Sequence, residues 1–293
     1  MTAVGKARAA ALFELTKPGI TRMVVLTAAA GFYLGSQGHF DLVQFIQTLV
    51  GTALVAAGSS ALNQLREREV DARMDRTRGR PLPSGRVSPV AAALFSWTAA
   101  SVGVGYLAWQ VNLVTAGLAL LTLVSYVFLY TPLKQRTSLN TLVGAVPGAL
   151  PVVGGWTAAG GHVDGVVLSL FWILFLWQLP HFLALAWLYR EDYRRGGFEM
   201  LSLDDATGRS TGRMALLYSI TLLPVSLLPT LLRLTGTVYF FGALVLGICY
   251  AWMGLLLMRA PSETTARRLF FTSITYLPLL LALMVLDKGW MIR

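Results

Sequence analysis

The stretch Asn63-Gln64-Leu65-Arg66-Glu67-Arg68-Glu69-Val70-Asp71-Ala72-Arg73-Met74-Asp75-Arg76-Thr77 decides how the chain is read. It carries four of the fourteen acidic residues and interrupts a sequence otherwise built of long apolar runs. Glu67, Asp71 and Asp75 recur every four residues from Asn63, a spacing that stacks them along one stripe of a helix. Like charges so placed repel, and neutralising one of them should relieve the helix. A divalent cation would neutralise the stripe. Hard oxygen ligands favour magnesium, which keeps several waters and also binds substrate phosphates. The stretch therefore reads as a magnesium–phosphate site at the surface of a membrane protein.

Composition agrees. Of the 293 residues, 55% are hydrophobic and 13% charged, where a soluble domain carries about 25% charged residues. Mean hydropathy is +0.62. At roughly 20 residues per span, about nine spans fit, and apolar segments fall near 20–35, 43–63, 89–110, 112–131, 139–159, 165–189, 214–232, 237–258 and 268–286. The predicted fold is an all-α integral membrane protein, one domain over 1–293, with 1–15 as a flexible tail and no cleavable signal peptide. The single Cys249 excludes an intrachain disulfide and reads as a small buried hydrophobe.

The connections alternate in character. With the N-terminus in the cytoplasm, all but three of the 24 lysines and arginines fall on the inner side. The exceptions are Arg233, Lys288 and Arg293. This topology accounts for the net charge of +10 without a nucleic-acid partner. It does not call for carboxylates, yet nine of the fourteen lie in 64–88 and 190–213. Asp71 and Asp192, 121 residues apart, fit two four-helix halves plus a ninth helix, whose acidic loops would converge over one cavity. Arg76, Arg80, Lys134 and Arg136 add what a diphosphate needs, charged donors for the oxygens that a metal leaves free.

These residues also carry a family resemblance. Asn63, Glu67 and Asp71 are similar to the first motif of the UbiA-type intramembrane prenyltransferases. Asp71-x-x-Met74-x-Arg76-Thr77-x-x-Arg80-Pro81-Leu82 resembles, within that superfamily, the branch that farnesylates haem. So do Thr16-Lys17-Pro18, Tyr130–Thr137 followed by Gly144-Ala145-x-Pro147-Gly148-Ala149-x-Pro151, Trp177-Gln178-Leu179-Pro180-His181-Phe182, and Asp192-Tyr193…Gly197…Met200-Leu201. The likeness runs from about residue 14 to 210 in five separated segments. Glu67 and Gln64 depart from the acids usual there, and Leu188 stands where a second acid often precedes Asp192.

The resemblance implies a UbiA-like bundle in the inner (plasma) membrane with a cytoplasmic active site, and Mg2+ held by Glu67, Asp71, Asp192 and also Asp75. Asn63, Glu67, Asp71 and Asp192 become the catalytic set. Arg76, Arg80, Lys134 and Arg136 become the diphosphate set. The reaction implied joins farnesyl diphosphate to a vinyl group of haem b, with water quenching the resulting cation to give haem O. The enzyme that oxidises haem O further, or oxidase assembly factors, would be partners beside the lipid bilayer.

His181 is the only histidine inside a span; haem iron is one partner for it and a neighbouring helix another. Gln178, Tyr130 and Tyr189 are further candidates for contact with haem or with the allylic cation. Two rival functions stay open: the same chemistry on a quinone-precursor or chlorophyll-type acceptor, and a transporter of an anionic lipid or metabolite. Transporters place charges near the midplane, whereas these cluster on one face.

Overall fold

The computed structural model describes residues 3–36 and 38–289, excepting the side chains of residues 3 and 4. Arg293 and the first two residues of the expected tail lie outside the described residues. Every named element is a helix: α1 Ala3–Leu15, α2 Pro18–Gly35, α3 Leu42–Asp71, α4 Pro89–Gln110 and α5 Leu113–Val124. A π-helical turn, Ser125–Tyr130, then leads into α6 Thr131–Leu133. The remainder are α7 Asn140–Ala158, α8 Gly165–Leu188, α9 Arg190–Gly196, α10 Leu201–Asp204, α11 Arg209–Leu231, α12 Thr237–Arg259 and α13 Glu263–Leu286.

Eight helices among the described residues are long and apolar enough to cross a membrane. The first segment expected as a span is α2, 18 residues long, which does not belong to those eight. Their starts follow local chemistry. Asp41, Ser88, Asn112 and Asp164 accept backbone N–H groups at the N-termini of α3, α4, α5 and α8, and Ser262 with Thr265 forms a capping box on α13. Pro18 and Pro89 occupy first-turn positions, where their missing N–H costs nothing.

Small residues let the helices approach closely, the usual route to tight packing where lipid removes the hydrophobic drive between helices. A Cβ on Gly31 of α2 would collide with the carbonyl of Val152 in α7, and one on Gly155 with that of Ala28. Large apolar side chains such as Trp97, Trp109, Phe241 and Trp252 point outward instead, as a lipid-facing surface requires. Cys249 is on this outer face, not buried as its apolar run suggested.

The basic segments gather at one end of the bundle. Arg86 pairs with Glu14 at 2.7 Å, Lys134 with Glu67 at 2.8 Å, and Asp192 accepts the Asp75 N–H at 3.1 Å. The opposite end is tied by Gln47 to Gln110 and by Lys288 to the Tyr33 and Ser36 carbonyls. The expected flexible tail is instead helix α1. Its Ala11 and Leu15 pack on Ala61, Leu82 and Ala92, because burying that apolar edge repays ordering the segment.

Candidate functional site

Helix α3 runs about two turns past the end expected for the second span, so Asn63, Glu67 and Asp71 do lie one turn apart on one face. All three are buried. The repulsion anticipated along this stripe is absent, because a cation stands at each step. Lys17 Nζ donates to Asn63 Oδ1 at 2.6 Å, Lys134 Nζ to Glu67 Oε1 at 2.8 Å, and Arg80 Nη1 to both Asp71 oxygens at 2.7 and 2.9 Å. Asn63 Nδ2 also donates to Thr131 Oγ1 at 2.9 Å, fixing which way the amide faces.

Lys17 belongs to the Thr16-Lys17-Pro18 segment that leads into α2. It holds φ 48° immediately before Pro18, a backbone conformation that proline disfavours in its predecessor and that persists only when the surroundings enforce it. Burial lowers the Lys17 ammonium to about 7, with Arg80 and Lys134 pushing the same way against Glu67 and Asp71. Burial also pulls on Lys134, but Glu67 more than reverses it, so Lys134 is held above its ordinary value.

A π-helical turn delivers Lys134. Pro132 has no N–H to continue the α ladder, and the Val127 carbonyl takes the Arg66 guanidinium at 3.5 Å. The Thr131 N–H reaches back five residues to the Tyr126 carbonyl. Such turns favour functional positions. Here it stacks Tyr126 on Tyr130, ring centroids 5.6 Å apart, and sets Lys134 Nζ 4.6 Å from the Tyr130 ring. From the other loop, the Glu199 N–H donates to the Lys134 carbonyl at 2.7 Å.

These groups rim a cavity of about 560 Å³. Lys17, Glu67, Asp71, Arg76, Arg80, Tyr130 and Lys134 line its basic end. Deeper walls carry Met23, Leu118, Pro151, Trp177, Gln178, His181, Phe270 and Ile274. Arg76 lies over the Tyr189 ring at 5.1 Å. Gln178 donates to the Leu174 carbonyl at 2.9 Å, and its Oε1 abuts Gly148, where a Cβ would collide with it.

Four expectations change. Asp75 is off the stripe: α3 stops at Asp71, whose carbonyl takes the Thr77 hydroxyl, and the exposed Asp75 pairs with Arg195 at 2.8 Å. Asp192 does meet the first acidic segment, but through backbone. Its oxygens accept the N–H groups of Asp75 and Arg76 at 3.1 and 3.3 Å, and Arg195 at 2.6 Å, so the carboxylate does not line the cavity. Burial pushes the Asp192 carboxyl up, but Arg195 and those two N–H groups bring it below the usual range. Arg136, past the end of α6, is exposed and off the cavity. Tyr189 supports Arg76 from outside the lining.

Among the described residues, no three acids, histidines or cysteines come together to hold a metal. Two carboxylates do face the cavity, and one or two suffice for magnesium when phosphate oxygens and water complete its shell. The donor set thus fits a magnesium ion carried in with a diphosphate, held by Glu67 and Asp71. Arg76, Arg80 and Lys134 outnumber the two carboxylates even without Lys17, which leaves surplus positive charge for the anion.

An all-helical membrane bundle with carboxylate–cation pairs at the mouth of an apolar cavity has the form of an intramembrane prenyltransferase, and the chain belongs to the UbiA prenyltransferase family, whose profile matches residues 24–275. A protein of Solibacter usitatus named protoheme IX farnesyltransferase is 44% identical over 284 residues, 94% of this chain and 97% of its own length. A solved digeranylgeranylglyceryl phosphate synthase superposes with a TM-score of 0.80 at 17% identity, over 96% of this chain and 98% of its own. A UbiA homolog from Archaeoglobus fulgidus bound to DMAPP and Mg2+ superposes with a TM-score of 0.67 at 16% identity, over 93% and 98%. At those identities the two structures show a shared fold.

Proposed function

We propose that this chain transfers a farnesyl group from farnesyl diphosphate to a vinyl group of haem b, giving haem O and diphosphate. The observation that carries the reading is the junction of Glu67–Lys134 and Asp71–Arg80 with the apolar cavity. A diphosphate has charged donors at the mouth, while an isoprenoid chain and a porphyrin face have apolar walls below. The name borne by the Solibacter relative supports haem as the acceptor.

Glu67 and Asp71 would hold the magnesium, which when bound would supply Lewis-acid stabilisation of the diphosphate. Arg76, Arg80 and Lys134 bind the remaining oxygens and stabilise the charge that grows on the leaving group as the C1–O bond breaks. The vinyl π electrons form the new carbon–carbon bond to C1. The cation left beside the porphyrin takes up water and loses a proton, giving a hydroxyethylfarnesyl side chain. Tyr126 and Tyr130 flank the mouth with aromatic faces suited to an allylic cation, and the apolar walls limit water before the bond forms. The basic end faces the cytoplasm of a cell whose plasma membrane holds the protein, because nearly all of its lysines and arginines lie there.

The test is incubation of membranes containing the protein with farnesyl diphosphate, haem b and magnesium, followed by mass analysis of the pigments. A farnesylated, hydrated haem appearing only with all three supports the reading. Prenylation of an added aromatic acid in place of haem would reassign the acceptor, and no prenylated product would refute the enzyme.

A further inference from the structure

His181 is held more tightly than a packing residue needs. Its ring lies between Trp177 and Phe270, with centroids 5.6 and 4.9 Å away and planes 26° and 27° from its own. Its Nδ1 is 2.7 Å from the Ser273 hydroxyl. That hydroxyl has one proton, which it donates to the Phe270 carbonyl at 2.5 Å. With that proton on the Phe270 carbonyl, Ser273 Oγ accepts from His181 Nδ1–H, an assignment that leaves the lone pair on Nε2. Among the described residues Nε2 has no hydrogen-bond partner, yet it is not one of the sealed, unpaired polar atoms. His181 lines the cavity, and Nε2 is its one ring nitrogen left without a protein partner among these residues.

An imidazole whose Nδ1–H is engaged and whose Nε2 is open is prepared as a metal ligand. The depth suits the reaction. Asp192, four residues past the end of α8, bonds the backbone of Asp75, four residues past the end of α3, so the two helices finish at one level. At 1.5 Å per residue Glu67 lies about 6 Å inside that level and His181 about 10 Å. A porphyrin centred on His181 spreads just beneath the diphosphate groups, among Trp177, Phe182, Phe270 and Ile274. We propose that His181 Nε2 ligates the iron of the haem acceptor, and that Ser273 is a positioning residue that fixes the ligating tautomer. The proposal rests on the reading of haem b as acceptor.

The experiment uses the full chain in lipid nanodiscs with haem b added, farnesyl diphosphate omitted, and the iron reduced. The wild type is expected to show the iron–imidazole stretching band in resonance Raman. His181→Ala should lose it, and free imidazole should restore it, which also shows that the variant kept its pocket. His181→Met should give a thioether-type spectrum. Ser273→Ala should retain the band at a shifted frequency, since Nδ1 loses its acceptor, a change that loosened packing would not produce. If His181→Ala binds haem with the wild-type iron spectrum, the ligation is refuted while farnesyl transfer stands. If Ser273→Ala leaves the band in place, its positioning role is refuted. A wild type that binds haem without the iron–imidazole band refutes the ligation alone, and one that does not bind haem overturns the acceptor reading and this inference together.

Discussion

Replacing Asp71 by Asn separates what the stripe does for folding from what it does for chemistry. From the sequence, removing one acid from a repelling row should stabilise the protein slightly. The structure reverses that sign, because Asp71 is 1% exposed and both its oxygens are taken by Arg80. Breaking a fully buried pair costs about 3–5 kcal/mol. Arg80 keeps 23% of its side chain exposed, and Asn can still accept one bond. The loss should therefore lie nearer the roughly 1.5–3 kcal/mol of a charged hydrogen bond. The chemistry should suffer more, since one of two carboxylates facing the cavity is gone. Removing a preorganised electrostatic group typically costs about 10²–10³ in turnover. Haem O formation measured against magnesium concentration, beside thermal unfolding in the same detergent, reports both. Reduced stability with near-normal turnover at limiting magnesium would make Asp71 a structural anchor for Arg80 and refute its role as a ligand. Unchanged values of both would refute the pairing itself.

Lys134→Ala and Arg80→Ala should each raise the KM for farnesyl diphosphate about 10- to 100-fold, the equivalent of one charged hydrogen bond, with haem affinity little changed; Arg136→Ala, exposed and off the cavity, serves as the silent comparison in the same kinetics. Asp192 has its carboxyl pulled down in the folded protein, so the stability it contributes is present at neutral pH and lost as pH falls through the acidic range. Asp192→Asn should flatten the acid side of a melting-temperature profile, and an unaltered profile would count against the clamp on Asp75 and Arg76. In a Cys249→Ser background, single cysteines at Ser84 and Ser210, both exposed at the basic end, should react with an impermeant maleimide from the cytoplasmic face; reaction from the other face would invert the topology.

Much of the fold could be read from the chain, because a bilayer leaves a sequence few choices. Apolar runs mark the helices, and the segments rich in basic residues gather at one end of the bundle. The stripe was legible too, since a four-residue period survives any packing. What could not be read is who answers each acid. Lys17 is 46 residues from Asn63 and Lys134 is 67 from Glu67, distances at which spacing says nothing. Asp75 was misplaced because no glycine or proline marks the end of α3; the Thr77 hydroxyl on the Asp71 carbonyl does that. Asp192 spends its oxygens on backbone N–H groups, which no residue pattern announces. The tautomer of His181 depends on Ser273, 92 positions away on another helix.

The separation of Glu67 from Lys134 has a consequence for biogenesis. At about 5–20 residues per second, a ribosome makes Glu67 roughly 3–13 s before the lysine that neutralises it. Asp71 waits far less, since Arg80 follows nine residues later. Lys17, already made, is the cation at hand for the second span while the π turn is still being synthesised. Of the cationic neighbours of Glu67 it alone precedes the acid in the chain, and the pocket closes electrically only when α6 and Lys134 arrive.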